Sequence, residues 1–166
     1  MILTNVEGKT LSETDHPSSG TRETWVAPID SDLFVAHAGV SRACLYRAGR
    51  LERMTSDHTF VQVLVDAGAI TPEDAREHPR RHVVTNVVVG PNAGVQVEVH
   101  RRSLTDGEIL LLCTDGLTAY VPDPEIAEIN TQAADPEQAA HRLTDVVLSR
   151  AAKDNVTVAL ARYTIR

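Results

Sequence analysis

Apolar and polar positions fall into three stretches along this chain: short strand-like runs, a helical middle, then strands and helices interleaved. Residues 25–29 and 33–38 read as strands joined through Asp30, Ser31 and Asp32, a hairpin-type connection. Pro28 has no N–H to give to a ladder, which puts the first of these runs at an edge or a bulge. Residues 43–47 and 50–54 flank an Ala48-Gly49 turn. Strands in quick succession with short links predict an antiparallel meander. Ahead of them, residues 1–22 read as a polar leader, with a loop signal in Pro17, Ser18, Ser19 and Gly20.

In the middle, Phe60, Val61, Leu64 and Val65 recur at helical spacing and Gly68 supplies a stop. Thr71 caps a second short helix, with Pro72 at its first position and Asp74 at the capping-box position; His78-Pro79 ends it. Strands are predicted again over 83–89, after a break at Gly90-Pro91-Asn92 over 95–99, and over Ile109–Cys113. Asp123-Pro124 opens a short helix. Asp135-Pro136 opens a longer one, with Gln138 completing a capping box. Leu143, Val146 and Val147 form its inner stripe, and Arg150 suits the negative end of its dipole. Residues 155–163 close the pattern as a strand. Strands grouped together with helices between the groups indicate an α+β fold. No internal repeat or low-complexity tract interrupts it.

Composition narrows the classes. At 166 residues, 42% hydrophobic and 23% charged, the chain suits one globular domain with a single core. A formal net charge of −7 argues against nucleic acid or an anionic membrane as partner. Arg80, Arg81 and His82 are a local basic cluster, read as a solvated loop face. The apolar run Ile109–Cys113 is far too short to span a bilayer, and Glu7, Lys9, Glu13 and Asp15 interrupt any signal-peptide core. Cys44 and Cys113 each sit in an apolar run, as buried, inert thiols do, which fits a reducing cytoplasm.

Two acids occupy strand ends. Asp115 follows the run Ile109–Cys113 in Thr114-Asp115-Gly116, and Asp154 lies in Lys153-Asp154-Asn155 ahead of the last strand. An acid beside an apolar strand is costly unless it is paired, hydrogen-bonded or bound to a cation. Two that meet at one sheet edge suit a hard ion such as Mg²⁺ or Mn²⁺. Taken singly, the first site is an ordinary Asp-Gly turn, the second an ordinary loop, and His37 a satisfied core histidine.

Together, Leu112-Cys113-Thr114-Asp115-Gly116-Leu117 and Lys153-Asp154-Asn155-Val156-Thr157-Val158 resemble the two C-terminal signatures of the PPM (type 2C-like) metal-dependent serine/threonine protein phosphatases. Gly39-Val40-Ser41-Arg42 is similar to that family's Gly-Asp-Ser-Arg turn. Ser56-Asp57-His58 and His78-Pro79-Arg80-Arg81-His82 resemble a common bacterial version, and Gly20-Thr21 is a weaker match. The resemblance runs over residues 20–166, with the motifs in family order. It implies an antiparallel β-sandwich flanked by helices, with a dinuclear Mg²⁺/Mn²⁺ centre at one end whose bridging water attacks phosphoserine or phosphothreonine. It makes Asp115 and Asp154 metal ligands of the same ion, and residues 59–79 a helical flap beside the site.

The same resemblance implies an N-terminally truncated, degenerate version of that fold. Residues 23–166 then form the C-terminal portion of the domain, behind the leader 1–22. The family's Asp-Gly-Met-Gly-Gly turn, whose aspartate bridges both metals, has no counterpart; Glu7-Gly8 is no replacement. Val40 stands where an aspartate serves a further metal position. Missing sandwich segments should leave apolar surface and a strand edge uncovered. The expectation is weak binding of Mg²⁺ or Mn²⁺, as a single ion, with no residue assigned a catalytic role. Three functions follow: a cytoplasmic pseudophosphatase that binds a phosphoprotein or a kinase-pathway protein; an active phosphatase completed by homodimerisation or a partner; and a structural interaction module.

Overall fold

The computed structural model describes residues 2–5, 22–88, 94–152 and 154–165. Among these residues, eight strands form two four-stranded antiparallel sheets. The first has the order β1 (Ile2–Asn5), β2 (Arg22–Ile29), β3 (Asp32–Ala38) and β6 (Glu98–Ser103). The second runs β5 (Arg50–Arg53), β4 (Arg42–Arg47), β7 (Ile109–Cys113) and β8 (Val158–Arg162). Helices α1 (Phe60–Asp66) and α2 (Pro72–Glu77) follow β5, and a single turn α3 (Asp115–Thr118) follows β7. Two longer helices, α4 (Asp123–Gln132) and α5 (Pro136–Ser149), precede β8. Among the described residues no helix is long and apolar enough to cross a membrane.

Alternation along the strands explains the layering. Val26 of β2 and Leu33 and Val35 of β3 face Ala43 and Leu45 of β4 and Leu112 of β7, so both sheets turn one side into a shared core. The opposite side of the second sheet presents Cys44, Leu111 and Cys113 to Leu117, Val121, Ile126, Leu143 and Val147. β7 is therefore covered on both faces, which is why its sequence is an unbroken apolar run. Cys44 and Cys113 are buried and free. Burial pushes the Cys44 thiol up to about 12 and the Cys113 thiol higher still, as inert thiols require. Among the described residues nothing covers the outer side of the first sheet. Trp25, Ala36 and Val99 stand opposite one another across β2, β3 and β6, with Trp25 43% and Val99 69% exposed.

The Ala48-Gly49 turn carries positive φ at both residues (47° and 78°), the two-residue hairpin geometry that suits strand twist. Pro28 lies past the residues of β2 that β1 pairs, 22–25, so the strand is an edge there. Thr71 and Asp74 form the reciprocal capping box of α2. On α5, Asp135 caps the Gln138 N–H at 2.8 Å, but the Gln138 side chain accepts from Ala134, one residue earlier than a capping box has it.

Several elements differ from expectation. Ile2–Asn5 is a strand inside the stretch read as a polar leader, and β2 begins at Arg22. Residues 83–88 build no sheet strand. Their backbone bonds go to the loop before α1, from Phe60 N–H to Val83 O (2.8 Å) and from Thr85 N–H to His58 O (2.9 Å). β6 starts at Glu98, three residues past the predicted start, because an edge strand open to solvent needs no apolar run. The loop signals at residues 17–20 and 90–92, and Glu7-Gly8, fall outside the described residues.

Candidate metal centre

β7 and β8 are antiparallel neighbours, with Cys113 opposite Val158. The end of β7 and the approach to β8 therefore meet at one edge of the second sheet, and this register brings the two predicted acids together. Asp115 is the first residue of α3; Asp154 lies in the loop after α5. Thr114 ties the two segments. Its N–H donates to Thr157 O (3.1 Å), and its hydroxyl accepts from Thr157 N–H (3.0 Å) and faces Asn155 O (3.5 Å). These bonds hold residues 155–157 irregularly, so β8 begins at Val158 and not at 155. Gly116 lies so close to this loop that a Cβ there would sit 2.1 Å from Asn155 O.

The Asp115 side chain is 40% exposed. Burial pushes its carboxyl above the ordinary aspartate range, the Arg22 guanidinium pulls it back, and the charge of Asp154 pushes it up again. The net direction is upward because one ion pair at 3.6 Å does not offset burial plus a like charge. Asp154 accepts from Asn155 N–H at 2.8 Å. A carboxyl that resists ionising beside a second carboxylate suits a cation ligand: the ion supplies the charge that protein and water do not.

Among the described residues no group of three His, Cys, Asp or Glu is placed to hold a metal ion. Val40 is 5% exposed and packs in the interior, and its side chain has no lone pair to offer. The carboxylates of Asp115 and Asp154 are hard oxygen donors of the kind that Mg²⁺ or Mn²⁺ takes, with water completing the coordination.

Other conspicuous polar residues have structural partners. His37 is 1% exposed; its Nε2–H points at Gly39 O (3.1 Å) and Ser56 O (3.0 Å), and its Nδ1 meets the Thr24 hydroxyl (2.9 Å). Burial, then the neighbouring His58, holds it below its ordinary pKa, as a satisfied core histidine. Sequence reasoning passed over a neighbouring cluster. His58 Nδ1 accepts from Gly39 N–H and Asn86 Nδ2, so its proton sits on Nε2, 3.1 Å from Glu98. His100 lies 3.3 Å from the other oxygen of Glu98. Arg42 of the Gly39-Val40-Ser41-Arg42 turn grips Asp57 with two bonds, 2.9 and 2.6 Å. Arg80, Arg81 and His82 are exposed, with Arg80 over the Phe60 ring at 5.5 Å, in keeping with a solvated face. In the flap, Val61 is buried while Val63 is exposed.

Residues 3–63 match the family Protein phosphatase 2C. The whole arrangement also superimposes on the crystal structure of the Mycobacterium tuberculosis serine/threonine phosphatase PstP/Ppp, with a TM-score of 0.84 and 38% identity over 90% of this chain and 62% of that one. This chain belongs to the protein phosphatase 2C family. By sequence it is similar to the Serine/threonine protein phosphatase PstP of Mycobacterium tuberculosis, 39% identical over 149 residues, which is 90% of this chain and 28% of that protein. A PstP catalytic domain crystallised in complex with two manganese ions gives a TM-score of 0.82 at 36% identity, over 92% of this chain and 63% of the other. The chain spans 28% to 62% of the length of curated relatives it matches. Within the protein phosphatase 2C fold, then, it accounts for the sandwich and for the edge that carries Asp115 and Asp154.

Proposed function

We propose that these 166 residues act as the C-terminal portion of a phosphatase domain in which Asp115 and Asp154 hold one Mg²⁺ or Mn²⁺ weakly. By themselves they bind a phosphoprotein of a cytoplasmic kinase pathway without efficient turnover. The observation that carries this reading is the convergence of Asp115 and Asp154 at the β7–β8 edge, with the buried Val40 side chain offering no further carboxylate among the described residues. A bound divalent ion supplies charge neutralisation at phosphoryl oxygens and a more acidic water. Asp115 and Asp154 orient it. Calorimetry with Mn²⁺ tests the reading alongside hydrolysis of p-nitrophenyl phosphate and a phosphothreonine peptide. The expected result is one site with a dissociation constant on the order of 0.1–1 mM, lost in Asp115→Asn and in Asp154→Asn, with no measurable hydrolysis. Robust turnover abolished by Asp115→Asn would overturn it.

A second reading, completion by association, draws on the bare outer face of the first sheet. Trp25, Ala36 and Val99 make a continuous apolar row there, and monomeric proteins seldom leave such rows open. If a second copy covers it, sedimentation velocity shows a concentration-dependent dimer that Trp25→Glu dissolves. A monomer at all concentrations removes the homodimer.

A further inference from the structure

Asp115 has a second charged neighbour besides Asp154, and it is a cation carried by the chain itself. Arg22 opens β2, and the pairing of Glu23 with Ala38 sets it opposite Gly39. Gly39 has φ = 133°, and a Cβ at that position would lie 2.6 Å from Arg22 Cβ and 3.0 Å from its Cγ. The stem of Arg22 thus lies across the space that the absent side chain leaves. Its guanidinium is delivered towards Asp115, with Nη1 3.6 Å from Oδ2 and both side chains about two-fifths exposed (39% and 40%). A guanidinium keeps its charge at every accessible pH. Beside two carboxyl groups it supplies one positive charge where a divalent ion would supply two.

Resting on the reading that Asp115 and Asp154 hold a divalent cation, we infer that Arg22 is a built-in competitor for that site, which Mg²⁺ or Mn²⁺ must displace. Metal–oxygen contact needs about 2.0–2.2 Å. A divalent ion that close to Oδ2 meets the guanidinium at a few ångströms, where like charges repel even through water. The arginine therefore weakens the site and, with no metal present, offsets part of the repulsion between the two carboxylates. Its role is positional, acting through Asp115.

Arg22→Gln keeps the stem over Gly39 and removes the charge. Mn²⁺ calorimetry on the intact chain is expected to show affinity about tenfold tighter than wild type, the scale of one exposed charge contact plus one relieved repulsion. In Arg22→Gln/Asp115→Asn the gain disappears. Mg²⁺ titration followed by NMR reads the same event without affinity or activity: the Arg22 Nε–H signal moves in wild type and stays still in Asp115→Asn. Far-UV circular dichroism checks that each variant folds. Equal Mn²⁺ affinity in wild type and Arg22→Gln, or weaker affinity in the variant, overturns the competitor role and leaves the metal site standing. Binding in neither, with no response to Asp115→Asn, removes the site and the inference together.

Discussion

Asp57→Ala is expected to lower the unfolding free energy by about 3–5 kcal/mol, the scale for breaking a buried pair by removing one partner. Asp57 receives Arg42 Nε and Nη2 at 2.9 and 2.6 Å, and Arg53 Nη2 lies 3.3 Å from the same carboxylate. The three side chains are 17%, 18% and 27% exposed for Arg42, Asp57 and Arg53. Without the anion, two guanidinium groups remain beneath the surface, and Arg42 keeps only a 3.5 Å contact to Asp123. Burial pushes the Asp57 carboxyl up, but the bonds from Arg42 and the charges of Arg42 and Arg53 outweigh it, so its pKa lies below the ordinary 3.8. A depressed folded pKa means this stability is present above the unfolded value and is lost as pH falls through the folded one. Urea denaturation at neutral pH measures the loss, and a series carried well below pH 3.8 shows wild type converging on Asp57→Ala. A difference below about 1 kcal/mol would mean the cluster behaves as an exposed ion pair.

That cluster shows where reading the chain in order stops. The elements that could be recognised carried local signals: the two-residue Ala48-Gly49 turn, the Thr71–Asp74 cap, the apolar run of β7, and the stripe of α5. Each of those signals has its cause within a few residues. β6 was recognised only at its first two residues because its sequence, Glu98–Ser103, is mostly polar, as an edge strand facing water permits. The turn α3 escaped because four residues after a strand carry no period to detect. Asp115 and Asp154 were legible as candidates from their setting at strand ends and from the family motifs around them. Their meeting depends on the β7–β8 register, which no local feature specifies. Arg22 and Asp57 bear on the site and its support through partners 93 and 15 residues away, Asp115 (115 − 22) and Arg42 (57 − 42), so only the folded chain reveals what they do. The same holds for His58, whose tautomer is set by Gly39 and Asn86.

Gly116→Ala joins fold and site in one substitution, and its expected effect is large on both. A methyl group there would lie 2.1 Å from Asn155 O, 3.0 Å from the carbonyl carbon and 3.3 Å from Val156 Cα. All three atoms are backbone, so no side chain can swing aside. The loop that carries Asp154 must move instead, against the bonds between Thr114 and Thr157. Alanine favours the helical turn by about 1 kcal/mol over glycine, but overpacking a close-packed contact costs about 1–3 kcal/mol and often more when backbone must shift. The net expectation is a loss of about 1–2 kcal/mol in denaturant unfolding. Mn²⁺ affinity should fall at least about tenfold, since displacing a ligand loop by an ångström is enough to misplace its oxygen. Asp154→Asn is the control that separates the two effects, because it removes the proposed metal ligand without disturbing the contact. Wild-type stability and wild-type Mn²⁺ affinity in Gly116→Ala would show that the two loops are not held against each other, and the carboxylate pair would then have no structural reason to act as one site.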